Sequence, residues 1–212
     1  MLNKMSLSLA QTFYTNADIE YDEGDIEVYA YGLEVFLSSV LEVLAILIIG
    51  IFVGRIFEAL AFFISFIPLR SFAGGYHAKT HLRCFFVLLV VYGLVLLILN
   101  LIPISFAVHI ALICVGLSVF PILKFAPLAD VNKPIGVLQR KEFRKKSVFI
   151  LLVQAIIIIG LSGLIIMFNV SAIISYICLS FALGQLSAVM SLVVAKIRNI
   201  KHEQTAPNSL FY

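Results

Sequence analysis

Six apolar stretches, separated by short polar or proline-containing breaks, dominate the pattern of hydrophobic and polar positions along the chain. A helix that crosses about 30 Å of hydrocarbon needs roughly 20 residues. The last four stretches approach that length and predict four transmembrane helices, while the first two are further apolar segments, which gives four to six crossings. The approximate bounds are 33–54, 56–69, 85–102, 104–123, 148–168 and 171–195.

The second stretch is too short to cross a bilayer as an upright helix. It is closed by Pro68, and its residues 56–69 cover only about 21 Å at 1.5 Å per residue. We therefore expect it to be half-inserted, tilted or buried against the rest of the protein. Arg55 and Glu58 lie three positions apart at its start, a spacing that permits a local ion pair on a helix.

The two ends of the chain differ from its apolar middle. Residues 2–17 alternate apolar side chains with Ser, Asn, Gln and Thr, which predicts an amphipathic helix on the membrane surface, with a frayed terminus as the alternative. An acidic run follows at 18–27. We therefore divide the chain into an N-terminal amphipathic and acidic segment (1–32), a membrane domain (33–195) and a C-terminal tail (196–212).

The composition excludes an ordinary soluble domain. The 212 residues are 62% hydrophobic and 13% charged, with a mean hydropathy of +1.09. Soluble domains have about 45–50% apolar and about 25% charged residues, so this chain cannot cover its apolar surface with an internal core alone. The expected fold class is therefore an all-α polytopic membrane protein, and no nucleic-acid partner is expected.

The distribution of Lys and Arg predicts the orientation in the membrane. The segments 70–84 and 124–147 and the tail all carry several of these residues, whereas the short turns at Pro103 and Asn169 carry none. We therefore expect a multi-pass protein of the cell membrane in which both basic loops, the N-terminus and the C-terminus are cytoplasmic.

The segment 70–84 concentrates polar and reactive groups between two apolar stretches. It contains a Gly pair, three cations, two imidazoles and the thiol of Cys84. The other two cysteines, Cys114 and Cys178, lie inside apolar runs, where a free thiol behaves as a small hydrophobe. Nearby cations favour the reactive thiolate of a group whose ordinary pKa is about 8.5. Cys84 is therefore the candidate nucleophile.

Two histidines are candidates for the base that accepts the thiol proton. On an uninterrupted helix His77 and Cys84 would be about 10 Å apart along the axis and could not bond, whereas His81 and Cys84 could touch. A His77–Cys84 pair needs a bend, which Gly74 and Gly75 could permit. Spacing alone therefore favours His81 slightly. The two imidazoles and the thiol could also bind Zn²⁺, but the segment holds no carboxylate base, and we predict no metal.

The motif that carries these groups resembles a known family. Arg70, Gly75, His77 and Cys84, within the run Arg-Ser-Phe-Ala-Gly-Gly-Tyr-His-Ala, are similar to the hallmark loop of the accessory gene regulator protein B (AgrB) family. Its members are bacterial membrane cysteine endopeptidases of quorum sensing, and the six apolar stretches match the family's layout. The resemblance implies that Cys84 is the nucleophile, that His77 is its base and that Arg70 and Gly75 support the site. It leaves the role of His81 open.

The resemblance also implies a substrate and a reaction. The substrate is an AgrD-like precursor with an amphipathic helix, a central signal sequence carrying a Cys or Ser, and an acidic C-terminal tail. Cys84 would attack the peptide bond before the tail and form a thioester, which the precursor's own side chain would capture to close a thiolactone or lactone ring. No cofactor is required, and a homodimer in contact with membrane lipids is expected from the family.

A basic run in the segment 124–147 is a candidate surface for the precursor's acidic tail, although contact with lipid and control of topology is the more ordinary role of such a run. The run consists of Arg140, Lys141, Arg144, Lys145 and Lys146. The alternative function is a non-enzymatic transporter or channel for a small peptide, with 70–84 as a gate. It is disfavoured because, of the side chains that such a path would need, Asp, Glu, Lys and Arg occur only in the first two apolar stretches. A membrane adaptor is a weaker alternative.

Overall fold

The computed structural model of the chain describes residues 6–9, 12, 23–76, 80–128, 136–168 and 171–205. In these residues the backbone forms six long helices and no strand, and all six helices are long and apolar enough to cross a membrane. The predicted all-α polytopic fold is therefore confirmed. Residues 6–9 are helical, and most of the predicted N-terminal amphipathic helix lies outside the described residues. The long helices are α1 (Glu23–Phe52), α2 (Ile56–Ala73), α3 (His81–Leu101), α4 (Ile104–Phe125), α5 (Val137–Phe168) and α6 (Ala172–Thr205).

The short second stretch forms a helix that is longer than the sequence suggested. We expected it to end at Pro68, but α2 continues through this proline to Ala73 and has 18 residues. Proline removes one backbone hydrogen bond from a helix, and here packing of the flanking residues Phe66 and Leu69 in the core maintains the helix. Half of α2 is buried inside the bundle, so the expectation of burial against protein is confirmed.

Helix α6 lies at the centre of the bundle and packs mainly against α2 and α4. It runs parallel to α2: the hydroxyl of Ser180 donates to the carbonyl oxygen of Glu58 at 2.7 Å, and Gly184 lies against Phe62 one turn further along both helices. A Cβ atom on Gly184 would lie 2.5 Å from the Phe62 carbonyl oxygen. The glycine therefore permits the close approach of the two backbones.

The core between the helices combines aromatic stacking with a few polar contacts. The ring of Phe62 stacks on Phe66 with centroids 5.3 Å apart and tilts against Tyr92 of α3 at 5.4 Å. The amide nitrogen of Gln154 in α5 donates to the carbonyl oxygen of Ser65 at 2.8 Å. Such a bond links two helices where no water competes, so it holds α5 against α2.

A polar cluster joins three helices at the end of the bundle opposite the 70–84 segment. Arg55 Nη1 lies 3.2 Å from Glu58 Oε1, which confirms the ion pair expected from their spacing. Arg55 Nη2 donates to Asn100 Oδ1 at 3.0 Å, and its guanidinium lies 5.1 Å from the ring centroid of Tyr176. The Tyr176 hydroxyl in turn donates to the Ile102 carbonyl oxygen at 3.1 Å. The starts of α2 and α6 are thereby fixed to the end of α3.

The basic run expected in a loop is helical. Helix α4 ends at Phe125 and α5 begins at Val137, so all five basic residues from 140 to 146 lie in the first turns of α5. Lys, Arg, Gln, Glu and Leu are good helix formers, and they extend the helix beyond the apolar stretch into polar surroundings. Lys and Arg of the 196–201 part of the tail extend α6 in the same way.

Candidate active site

The motif segment 70–84 is built from two helix ends and a short break between them. Arg70 lies in the last turn of α2, and Cys84 lies in the first turn of α3. Thr80 caps α3: its hydroxyl accepts a hydrogen bond from the Arg83 N–H at 3.4 Å, and its carbonyl oxygen accepts from the Cys84 N–H at 3.1 Å. Thr is among the preferred N-cap residues because its side chain satisfies a free backbone donor. The cap therefore fixes where the Cys84 helix begins.

The guanidinium of Arg70 connects the two sides of this break. Its Nη2 donates to the Tyr76 carbonyl oxygen at 2.7 Å and lies 3.9 Å from the Cys84 sulfur. The same group lies over the Phe66 ring at 5.4 Å, which keeps it against the bundle. A hydrogen bond from a charged donor is stronger than a neutral one, and a neighbouring cation favours a thiolate. Arg70 is therefore placed both to hold the segment before residue 77 and to act on the sulfur.

Gly74 allows the chain to leave α2 beneath the segment that follows α4. Its φ of 80° lies in the left-handed region, which favours glycine. The Leu128 N–H donates to the Ala73 carbonyl oxygen at 3.0 Å, and a Cβ atom on Gly74 would collide with the Leu128 carbonyl oxygen. Glycine is therefore required at position 74 for two reasons: its backbone is left-handed, and the backbone of Leu128 leaves no space for a side chain.

Gly75 and Tyr76 lie against α6. The Tyr76 N–H donates to both the carbonyl oxygen and the hydroxyl of Ser191, each at 3.0 Å. A Cβ atom on Gly75 would lie 2.6 Å from the Ser191 hydroxyl oxygen. This close contact is a physical reason for glycine at position 75. It also shows that Ser191, more than a hundred residues away in sequence, lies against the motif.

The two candidate bases are placed only in part. His77 lies outside the described residues, and of His81 the structure describes the backbone, as the first residue of α3, but not the side chain. The choice between them therefore stays a prediction. The chain from 74 to 76 is not helical, and Thr80 is extended, with φ −138° and ψ 146°. Thr80 therefore interrupts the helix between positions 77 and 84. A continuous helix is the geometry that would keep His77 and Cys84 apart.

The surroundings of Cys84 differ from those of the other two thiols. Cys84 is half-buried, whereas Cys114 and Cys178 are buried in the bundle. Besides Arg70, the carboxyl group of Glu42 on α1 lies near the Cys84 thiol. Glu58 is paired with Arg55 at the opposite end of the bundle.

Cationic side chains surround the motif on several helices. Lys146 of α5 lies over the Phe72 ring at 5.3 Å, and Phe143 packs edge-on against the same ring at 5.7 Å. The guanidinium of Arg198 on α6 lies over the Tyr76 ring at 5.3 Å. These contacts place the basic run of α5 beside the end of α2. Its charged members are all exposed: Arg140, Lys141, Arg144, Lys145 and Lys146.

The described part of the chain contains no group of three or more His, Cys, Asp or Glu side chains that could hold a metal ion. The set considered from sequence, His77, His81 and Cys84, falls partly outside it. Among the described residues, the motif therefore presents a half-buried thiol beside a guanidinium.

Comparisons with known proteins agree with the motif. The model of the accessory gene regulator B family matches residues 6–194. Putative AgrB-like protein 2 of Clostridium perfringens (strain 13 / Type A) is 26% identical over 157 residues, which cover 69% of this chain and 70% of the relative. Protein FsrB of Enterococcus faecalis is 29% identical over 132 residues, covering 61% of this chain and 54% of FsrB. Accessory gene regulator protein B of Staphylococcus aureus is 28% identical over 130 residues, covering 61% and 67% of the two chains. No solved structure matches the chain significantly.

Proposed function

Because the chain belongs to the accessory gene regulator B family, which acts with AgrD-type precursors in quorum sensing, we propose that it is a membrane cysteine endopeptidase for such a precursor. Cys84 is the nucleophile, His77 is the base, and Arg70, Gly75 and His81 belong to the site. The observation that carries the proposal is the contact of the Arg70 guanidinium with both the Cys84 sulfur and the carbonyl that precedes His77. This contact links Cys84 to the carbonyl group of Tyr76, the residue before His77.

The first half of the reaction releases the precursor's tail. His77 accepts the proton of the Cys84 thiol, and the sulfur attacks the carbonyl carbon of the peptide bond between the signal sequence and the tail. The C–N bond breaks, His77 returns the proton to the leaving amine, and the signal sequence remains as a thioester on Cys84. Arg70 stabilises the thiolate before the attack because its positive charge lies beside the sulfur.

The second half closes the ring. The precursor's internal thiol gives its proton to His77 and attacks the thioester carbonyl, which forms a thiolactone and breaks the bond to Cys84. The departing sulfur recovers the proton from His77, so no cofactor is consumed. Cys84 is half-buried at the end of an apolar bundle, and restricted access of water favours attack by the tethered thiol over hydrolysis.

The exposed basic run in the first turns of α5 is the proposed surface for the precursor's acidic tail. Aromatic contacts hold this helix beside the motif, with Phe143 and Lys146 both on the Phe72 ring. A tail bound there would leave the scissile bond close to α2 and Cys84. Long side chains such as those of Lys141 and Lys145 interact with carboxylates at modest energy when exposed, so the run would draw and orient the tail rather than bind it tightly.

The orientation and assembly of the protein are part of the same proposal. The ends of α2, α4 and α6 and the starts of α3 and α5 share one end of the bundle, and among the described residues this end carries every Lys and Arg except Arg55. By the preference of Lys and Arg for the cytoplasmic side, this end and both termini face the cytoplasm. We also infer a homodimer in contact with membrane lipids, as the family resemblance implies.

The test uses Cys84→Ala with Cys114→Ala as its matched control. Both remove one thiol, but Cys114 is buried in α4 away from the motif. The purified protein is incubated with an AgrD-type precursor that carries an internal cysteine and a tagged acidic tail. We expect Cys84→Ala to abolish tail release and Cys114→Ala to retain it, and intact-mass spectrometry to detect an acyl adduct on Cys84. Tail release by a folded Cys84→Ala protein would refute the mechanism.

A further inference from the structure

We propose that Ser191 is a positioning residue of the Cys84 site: it holds the backbone that carries His77, and its hydroxyl is the group that requires glycine at position 75. The proposal rests on the function proposed above, since it concerns the placement of His77 relative to Cys84. Ser191 lies on α6 and contacts neither the thiol nor the scissile bond in this account. It acts through Tyr76.

The first observation is the pair of hydrogen bonds at the Tyr76 amide. This N–H donates to the carbonyl oxygen and to the hydroxyl oxygen of Ser191, each at 3.0 Å. A helical serine hydroxyl commonly bonds to a carbonyl of its own helix, one turn earlier. The Ser191 hydroxyl oxygen also accepts the Tyr76 N–H of the motif, so it ties the central helix to the chain just before residue 77.

The second observation is that the carbonyl on the other side of Tyr76 is held as well. Arg70 Nη2 donates to it at 2.7 Å while lying 3.9 Å from the Cys84 sulfur. The amide of Tyr76 is thus fixed by α6 and its carbonyl by α2. Since that carbonyl belongs to the peptide bond with His77, the two anchors together set the direction in which the chain enters residue 77 relative to the thiol.

The third observation explains the glycine. Gly75 does not have a positive φ, so a left-handed backbone is not the reason for glycine at this position. The obstacle is local: a Cβ atom there would lie 2.6 Å from Ser191 Oγ, but 3.4 Å from Ser191 Cβ and 3.7 Å from Arg70 Cγ. The hydroxyl oxygen is the one atom close enough to force a shift. Removing it should therefore make room for alanine at position 75.

Gly74 provides the contrast that makes this inference sharp. Its φ is +80°, and the atom that a Cβ would meet belongs to the backbone of Leu128. Neither obstacle can be removed by truncating a side chain on α6. The two adjacent glycines are therefore required for different reasons, and only the requirement at Gly75 should depend on Ser191.

The experiment compares tail release by five variants with that of the unaltered protein. They are Gly75→Ala, Ser191→Ala, the double variant, Gly74→Ala, and Gly74→Ala combined with Ser191→Ala. We expect Gly75→Ala to lower kcat by tenfold or more, since misplacement of a catalytic group by about 1 Å can cost roughly a hundredfold. Ser191→Ala alone loses one of two acceptors for the Tyr76 N–H, and we expect a loss of about threefold to tenfold, in kcat rather than in KM.

The decisive comparison is between the two double variants. Gly75→Ala with Ser191→Ala should be at least fivefold more active than Gly75→Ala, whereas Ser191→Ala should not restore Gly74→Ala. Equal activity of Gly75→Ala with and without the second change, in protein that is inserted and folded, would overturn the inference. Restoration of both glycine variants would also overturn it, because the effect would then be general.

A second measurement separates this inference from the proposed reaction. Hydrogen exchange at the Tyr76 amide, followed by mass spectrometry, requires no substrate and no catalysis. We expect faster exchange in Gly75→Ala and slower exchange again in its combination with Ser191→Ala. Unchanged exchange in Gly75→Ala and in Ser191→Ala would refute the anchoring, whatever the activity. The expected exchange pattern without any matching change in kcat would refute the positioning role while leaving the contact intact.

Discussion

Replacing Arg70 by methionine tests the contact on which the proposed function depends. Methionine has a similar length and no charge, so the variant removes two interactions of one nitrogen: the 2.7 Å bond to the Tyr76 carbonyl oxygen and the 3.9 Å contact with the Cys84 sulfur. A hydrogen bond from a charged group contributes about 1.5–3 kcal/mol. If that amount is lost in the transition state, tail release slows by about 10-fold to 150-fold.

Two assays separate the effects of this change. Single-turnover release of the precursor's tail reports catalysis, and the rate at which iodoacetamide labels Cys84 reports the reactivity of the thiol alone. Both rates should fall in Arg70→Met. Arg70→Lys keeps the charge but has a single ammonium group in place of the planar guanidinium. It should therefore retain a larger share of the labelling rate than of the rate of tail release.

The matched control is Arg55→Met. Arg55 is also a partly buried arginine of the bundle, but it pairs with Glu58 and Asn100 at the opposite end. Its loss leaves Glu58 buried without its partner, so it should lower the thermal stability without changing the labelling rate of Cys84 in folded protein. The reasoning is refuted if Arg70→Met leaves both rates unchanged, or if Arg55→Met lowers the labelling rate to the same degree.

Two further predictions follow from the bundle and from its basic surface. Gly184→Ala should lower the free energy of unfolding by about 1–3 kcal/mol, because the added Cβ would lie 2.5 Å from the Phe62 carbonyl oxygen. The control is Gly160→Ala, which has open space around the added Cβ and should have little effect on thermal unfolding. Charge reversal of Lys141 and Lys145 together should raise the KM for a precursor with an acidic tail by about twofold to tenfold, since exposed ion pairs contribute up to about 1 kcal/mol each. The increase should shrink at high salt and disappear for a precursor whose tail carboxylates are replaced by amides; an increase that persists with the neutral tail would contradict the proposed tail surface.

The sequence predicted the features that depend on local composition. Apolar length predicts the last four helices and marks the first two as further apolar segments, and spacing along one helix predicts the pair of Arg55 and Glu58. The helix ends were less predictable. Helix α2 passes through Pro68 because burial of its neighbours outweighs one lost hydrogen bond, and α5 begins at Val137 because polar residues can also be good helix formers. Hydropathy alone predicts neither the continuation of α2 through Pro68 nor the start of α5 at Val137.

The sequence proposes members of the site but not how the fold brings them together. Cys84 was singled out by the polar groups around it in the sequence, and Arg70 and Gly75 by resemblance, whereas spacing alone gave no contact between positions 70 and 84. That contact exists because the chain reverses direction between α2 and α3. Ser191 and Leu128 carry no signal of their own in the sequence: one is a serine in an apolar helix, and the other a leucine in a connecting segment. Their roles arise only from the packing that brings distant segments onto the glycine pair.

The geometry at Cys84 depends on the register of α2 and α6 along the whole bundle. The two helices are parallel and in contact at Glu58 with Ser180, at Phe62 with Gly184, and finally where Tyr76 meets Ser191. A change that separates them at Gly184 therefore also moves Ser191 away from the Tyr76 amide. Because Arg70 holds the carbonyl of the same residue, the displacement is passed to the chain that enters position 77. A side chain added at the centre of the bundle should thus reduce tail release beyond its effect on the amount of folded protein.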